Sequence, residues 1–173
     1  MELKTHEQAF VLHWGEMGSR WGITRATAQI HALLLLAEKP LDAPIICEIL
    51  NLARSNVSTG LRELQEWGLI KLVHVMGERK EHFEADKDAY SVLAKIADKR
   101  AEREIVPTIE ALKTIQQNAK GKHAQFDALV GGFAGALEDG IGFYHRLRAL
   151  PVPIVRKFVS AERLLERLVK GKA

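Results

Sequence analysis

A single cysteine, Cys47, stands among 173 residues. An intrachain disulfide is therefore excluded, and a reducing compartment is the natural expectation. With Ile45, Ile46 and Ile49 around it, Cys47 reads as a small buried apolar residue and not as a redox switch. Long apolar runs are also missing. The longest candidate, residues 128–137, runs into Glu138-Asp139 and falls short of the roughly 20 residues a membrane span requires. The first twenty residues have no apolar segment behind a basic start, so no signal peptide is expected. These absences point to a cytoplasmic protein with no membrane partner.

Catalytic and cofactor constellations are equally scarce. No Ser/His/Asp or Cys/His arrangement and no phosphate-binding loop can be traced. Gly131-Gly132 with Gly135, and Gly140 with Gly142, follow no strand and have the wrong spacing for a dinucleotide loop. His74 and His82 are expected to face each other across a hairpin, but two ligands without a second cysteine do not make a zinc site. The expectation is a protein without enzymatic activity, cofactor or metal.

What is present is charge, distributed unevenly. The formal net charge is +3 and the sequence pI is about 9.0. Residues 1–86 nevertheless carry nine Lys/Arg against twelve Asp/Glu, and residues 87–173 carry sixteen against ten. The basic excess thus lies outside the segment that proves richest in motifs, so bulk charge says little about a polyanionic partner.

Apolar periodicity predicts the elements. Phe10, Trp14, Met17 and Trp21 form one stripe of an N-terminal helix, in which Gly15 and Gly18 permit close approach of a neighbour. Gly22 ends that helix and Thr24 caps the next, which runs to about Glu38 and is apolar nearly all round, hence central. Asp42 caps a third helix with Pro44 in its first turn, Ile45, Ile46, Ile49 and Leu50 inward, and Asn51 as a left-handed C-cap. A fourth helix follows the Leu52-Ala53 turn and stops at Trp67-Gly68. Two β-type runs follow, 69–75 and 81–85, joined by a loop containing Gly77. Beyond Lys87 the chain is helical. Pro107 must kink or divide the first long helix; a second spans about 123–147 and a third 153–169, with Ile154, Phe158, Ala161, Leu165 and Leu168 on one stripe.

The fourth helix carries the functional signal. On a wheel of about 100° per residue, Val57, Leu61 and Leu64 point one way while Ser55, Thr59 and Arg62 point the other, with Ser58 at the edge. Two helices joined by a tight turn, with a hairpin after them, have the spacing of a winged helix-turn-helix. In such modules the second helix enters the major groove of double-stranded DNA and its N-terminal residues meet base edges. Ser55, Asn56, Ser58 and Thr59 suit phosphates and several bases; Arg62 suits guanine or a phosphate; Arg54, Arg79 and Lys80 stand where phosphates or a minor groove would be. The fold class is mainly α with a small β-hairpin wing: an N-terminal helix (1–23), a winged helix-turn-helix (24–86) and a C-terminal helical dimerisation region (87–173).

The stretches FVLHWGEMGSRWG (10–22), AQIH (28–31), ARSNVS (53–58), LQEWGLI (64–70) and GERKEHF (77–83) resemble the GbsR branch of the MarR-like transcriptional regulators. The resemblance covers about the first 85 residues. It implies a winged-helix regulator that binds operator DNA as a homodimer, often a repressor relieved by a small effector, which in some members is choline. It places the reading helix at Arg54 to Gln65 and the wing at Met76 to Lys80.

Two other readings stay open at this point. Phe10, Trp14 and Trp21, with Tyr90, Phe143 or Tyr144, have the chemistry of an aromatic cage for a quaternary ammonium effector; the same stripe also reads as core or dimer interface. The acidic balance of residues 1–86, with Glu63 and Glu66 on the reading helix, suits a winged-helix protein–protein adaptor that binds no DNA.

Overall fold

The computed structural model describes residues 3–119, 124–151, 153–155 and 157. Contacts divide the chain into two compact units, Met1–Arg100 and Ala101–Ala173. The stripe expected at 153–169 lies outside the described residues beyond its first few positions.

The first unit holds α1 (Thr5–Trp21), α2 (Arg25–Leu36), β1 (Leu41–Asp42), α3 (Ala43–Leu50), α4 (Arg54–Glu66), β2 (Ile70–Val73), β3 (His82–Ala85) and α5 (Ala89–Arg100). The strands make one antiparallel sheet in the order β1-β3-β2. The core is built around α2, whose Ile30, Leu33 and Leu34 are fully enclosed, as an almost uniformly apolar helix requires. Ile46 from α3, Val57, Leu61 and Leu64 from α4, Leu69, Phe83, and Val92 and Ile96 from α5 complete it. Each such side chain contributes about 1.5–3 kcal/mol by leaving water.

Local chemistry sets the boundaries. Gly22 closes α1 in the left-handed region (φ 91°), and the Thr24 hydroxyl accepts the Thr27 amide of α2 at 3.1 Å. Asp42 accepts the Ile45 amide at 2.9 Å, and Asn51 ends α3 at φ 50°. At the end of α4 the chain turns through Gly68 (φ 67°), where the Leu69 amide donates to the Leu64 carbonyl at 2.9 Å. Beyond the sheet, Asp86 anchors α5. Its carboxylate accepts from Lys95 at 2.7 Å and Ser91 at 2.6 Å. Burial alone would raise this carboxyl, but those bonds and one from the Asp88 amide hold it down at about 2.

Four expectations are corrected. Ile45 is exposed, because it lies about 100° around α3 from the enclosed Ile46. The strands are shorter than the β-type runs: β2 stops at Val73 and β3 begins at His82, which lengthens the wing loop. A third strand, β1, pairs Leu41 with Phe83 and Asp42 with His82; two residues carry no periodicity to betray it. His82 stands opposite Val73 and not His74, so the two histidines do not face each other.

The second unit begins with a π-helical stretch, Ala101–Ile105, followed by α6 (Val106–Ala119) and α7 (Ala124–Arg148). Pro107 has no N–H for the carbonyl four residues before it, and the wider π turn accommodates that loss. α6 and α7 pack together through Ile109, Val130 and Ala134, and Lys113 pairs with Glu138 across them.

Candidate nucleic-acid interface

The turn between α3 and α4 is built from three residues. Asn51 takes the left-handed conformation, and the Leu52 amide returns to the Cys47 carbonyl at 3.1 Å. Ala53 then starts α4 in extended geometry. Alanine offers no side-chain cap, whereas α2 and α3 are capped by Thr24 and Asp42. The N-terminal amides of α4 are therefore open to an anion, with the positive end of the helix dipole behind them.

Arg54, Ser55, Asn56, Ser58, Thr59 and Arg62 are all exposed, and Val57, Gly60, Leu61 and Leu64 are all buried. One face of α4 is thus committed to the core and the other carries hydroxyl, amide and guanidinium groups. Gly60 sets how deeply α4 sits. A Cβ there would lie 2.8 Å from the Ile30 side chain and 3.3 Å from the Thr27 backbone. Beside that contact the Thr27 hydroxyl donates to Glu63 at 3.1 Å and meets the Thr24 hydroxyl at 2.9 Å. Glu63, half-buried, is therefore engaged in holding α4 on α2.

Between α4, the start of α3 and the wing lies an open cleft of about 570 Å³. Arg54, Ser58, Arg62 and Gln65 line one side and Lys80, Glu81 and Phe83 the other. Of the sequence-predicted residues the cleft brings together Arg54, Ser58, Arg62 and Lys80, whereas Ser55, Asn56, Thr59 and Arg79 do not line it. The Lys80 ammonium does not project freely from the wing: it donates to Asp42 at 2.6 Å. Asp42 is almost wholly enclosed, and burial alone would raise its carboxyl. The bonds from Lys80 and the Ile45 amide outweigh that and hold it below the ordinary carboxylate range. Arg79 is exposed in the loop between β2 and β3.

The aromatic residues also come together. Phe10 and Trp14 have ring centroids 5.3 Å apart, and Trp21 meets Trp14 edge to face at 4.9 Å. The rings lie against one another, so a cation would enter only if they parted. Trp14 also donates its indole N–H to His31 Nδ1 at 3.2 Å. Sequence reasoning missed this buried histidine, since nothing in the local pattern distinguishes His31 from the apolar residues beside it. Tyr90 belongs to the first unit, and Phe143 and Tyr144 to the second.

Comparison with known proteins fits this geometry. Residues 15–80, from the later part of α1 through the wing to Lys80, match the MarR family. The chain is 28% identical over 97 residues to the HTH-type transcriptional repressor GbsR of Bacillus subtilis (strain 168), an overlap of 56% of this chain and 53% of that protein. The match thus spans about half the length of that curated relative. A crystal structure described as a transcriptional regulator superposes with a TM-score of 0.54 at 17% identity, covering 82% of this chain and 99% of that one; it speaks for the fold alone. The family match and the GbsR repressor bear out the resemblance carried by the sequence motifs.

Proposed function

We propose that this MarR-like winged-helix chain is a sequence-specific DNA-binding transcriptional regulator, which acts as a homodimeric repressor and responds to a small effector. The carrying observation is α4: its exposed face bears Ser55, Asn56, Ser58, Thr59 and Arg62, and its first-turn amides have no side-chain cap. In our reading α4 lies in the major groove and the loop after β2 meets the flanking backbone. Of the acidic residues that favour the adaptor reading, Glu63 is bonded to Thr27, while Glu66 is exposed.

The dimer is supported by α7. Phe126, Leu129, Phe133, Ala136, Gly140, Phe143 and Leu147 recur at alternating steps of three and four and fall within one face. Phe126, Leu129, Phe133, Phe143 and Leu147 are exposed although apolar. A two-fold dimer would read half-sites about one helical turn, or a multiple, apart. Repression is taken from the GbsR relative. For the effector we favour the cluster of Phe10, Trp14 and Trp21, whose faces suit a quaternary ammonium of the choline class once the rings separate.

The test is fluorescence anisotropy with duplexes selected from random DNA by the full chain, at several salt concentrations, with and without choline. A specific duplex should bind with a steep salt dependence. Arg62→Ala should cost about 1–3 kcal/mol if Arg62 reads a base, or lower the salt slope by about 1 if it meets a phosphate. Selection that enriches no sequence would overturn the reading. Choline that leaves the affinity unchanged would remove the effector assignment alone.

A further inference from the structure

The base of the wing holds a cluster of polar groups that DNA contact does not explain. His82, on β3, is 5% exposed. Its Nδ1 lies 3.0 Å from the Lys80 carbonyl, which only accepts, so Nδ1 donates there. Its Nε2 lies 2.9 Å from a Glu78 carboxylate oxygen, a salt bridge whenever the ring is protonated. When protonated, this one enclosed ring grips the wing loop at two points, residues 78 and 80. Register places His82 opposite Asp42 of β1. Asp42, 2% exposed, divides its carboxylate between the Ile45 amide at 2.9 Å and the Lys80 ammonium at 2.6 Å. The same carboxylate thus caps the first helix of the helix-turn-helix and fastens the wing to it. Arg79 lies between the two gripped residues and is exposed.

We infer that His82 is a positioning residue for DNA binding: by bridging Glu78 and the Lys80 carbonyl it seats Lys80 on Asp42 and presents Arg79 as the wing's phosphate-contacting cation. This rests on the DNA-binding reading above. It also divides the labour between two neighbouring cations that the sequence treats alike. Lys80 serves the protein, because removing it would strand an enclosed carboxylate. Arg79 serves the nucleic acid. The brace holds the loop before DNA arrives, so less ordering is needed on binding.

The experiment is a double-mutant cycle on the full-length protein with the selected duplex. Arg79→Ala alone should lower the salt slope by about 1. His82→Leu fills the same enclosed space without either bond and should lower it by a similar amount. The two together should cost no more than either alone, although nothing places the two side chains in contact. His82→Gln, whose amide can still donate, should restore part of the slope. If His82→Leu does not fold, Glu78→Gln weakens the same bridge from its exposed end and takes its place in the cycle. Additive losses, or an unchanged slope in His82→Leu, would overturn the inference. Amide hydrogen exchange across residues 74–81 provides a reading without DNA. Faster exchange in the variant supports the brace and unchanged exchange overturns it, even if the protein binds no duplex and the functional reading falls.

Discussion

His31 is 1% exposed and has one satisfied ring nitrogen. Because Nδ1 accepts the Trp14 indole N–H, the ring proton sits on Nε2, and that atom has no hydrogen-bond partner among the described residues. Leaving a buried donor unpaired costs about 1–3 kcal/mol. Charging it would cost more: burial drives its pKa from 6.5 down to about 4, with Asp86 opposing and Lys95 assisting. In the unfolded chain His31 takes up its proton near 6.5, while the folded state resists until about 4. Stability associated with the neutral ring is therefore complete above 6.5 and drains away as the pH falls through that window. The total is about 3 kcal/mol by the conversion of pKa to free energy. Urea unfolding at pH 7, 5.5 and 4 should show this decline in the wild type and a shallower one in His31→Gln. Equal slopes would mean that the imidazole is not held neutral.

Small residues decide how the helices meet. A methyl group on Gly18 of α1 would overlap that of Ala28 on α2, and one on Gly15 would crowd Gln29. Alanine should favour an isolated helix by about 1 kcal/mol over glycine. Overpacking at such a crossing costs about 1–3 kcal/mol, so Gly18→Ala should be net destabilising. A lowered urea midpoint with an unchanged m-value is the expected result, and a raised midpoint would show that α1 can lift away from α2 freely. The Gly15 and Gly18 approach was legible in the sequence, because glycines on the apolar side of an aromatic-rich helix have few other uses. The seat of α4 was not. Gly60 reads only as a helix-weakening residue until Ile30 and Thr27, thirty or so positions earlier, are placed against it.

At the scale of the molecule the charge is divided against first expectation: the winged-helix segment has an acidic excess, yet the face of α4 and the wing loop carry exposed Arg54, Arg62 and Arg79. Acidic residues on or near α4 are partly spent inside the fold, Glu63 on Thr27 and Asp42 on Lys80. On the proposed reading, local field and not net charge governs approach to DNA. The seam on α7 is the other large-scale feature, since exposed apolar faces of this kind mark association surfaces. Phe133→Glu, at a residue 60% exposed, should leave the melting of the monomer nearly unchanged while shifting sedimentation toward the monomer and weakening operator binding. An unaltered sedimentation coefficient would remove α7 from the proposed dimer interface.

The sequence by itself determined where α1 ends, where α2 and α3 begin, and where α3 and α4 end. Thr24, Asp42, Asn51 and Gly68 act on backbone groups within a few residues, so their effects are local and can be read in one dimension. It also determined which face of α4 is buried, since period 3.6 alone separates Val57, Leu61 and Leu64 from Ser55, Thr59 and Arg62. Tertiary structure decided what each polar side chain is for. Lys80 meets a carboxylate 38 positions away, Trp14 a histidine 17 away, and Thr27 a glutamate 36 away. No local pattern encodes those meetings. They arise because burying the apolar faces brings distant polar groups into a space with little water, where each must find a partner or bear the cost of having none.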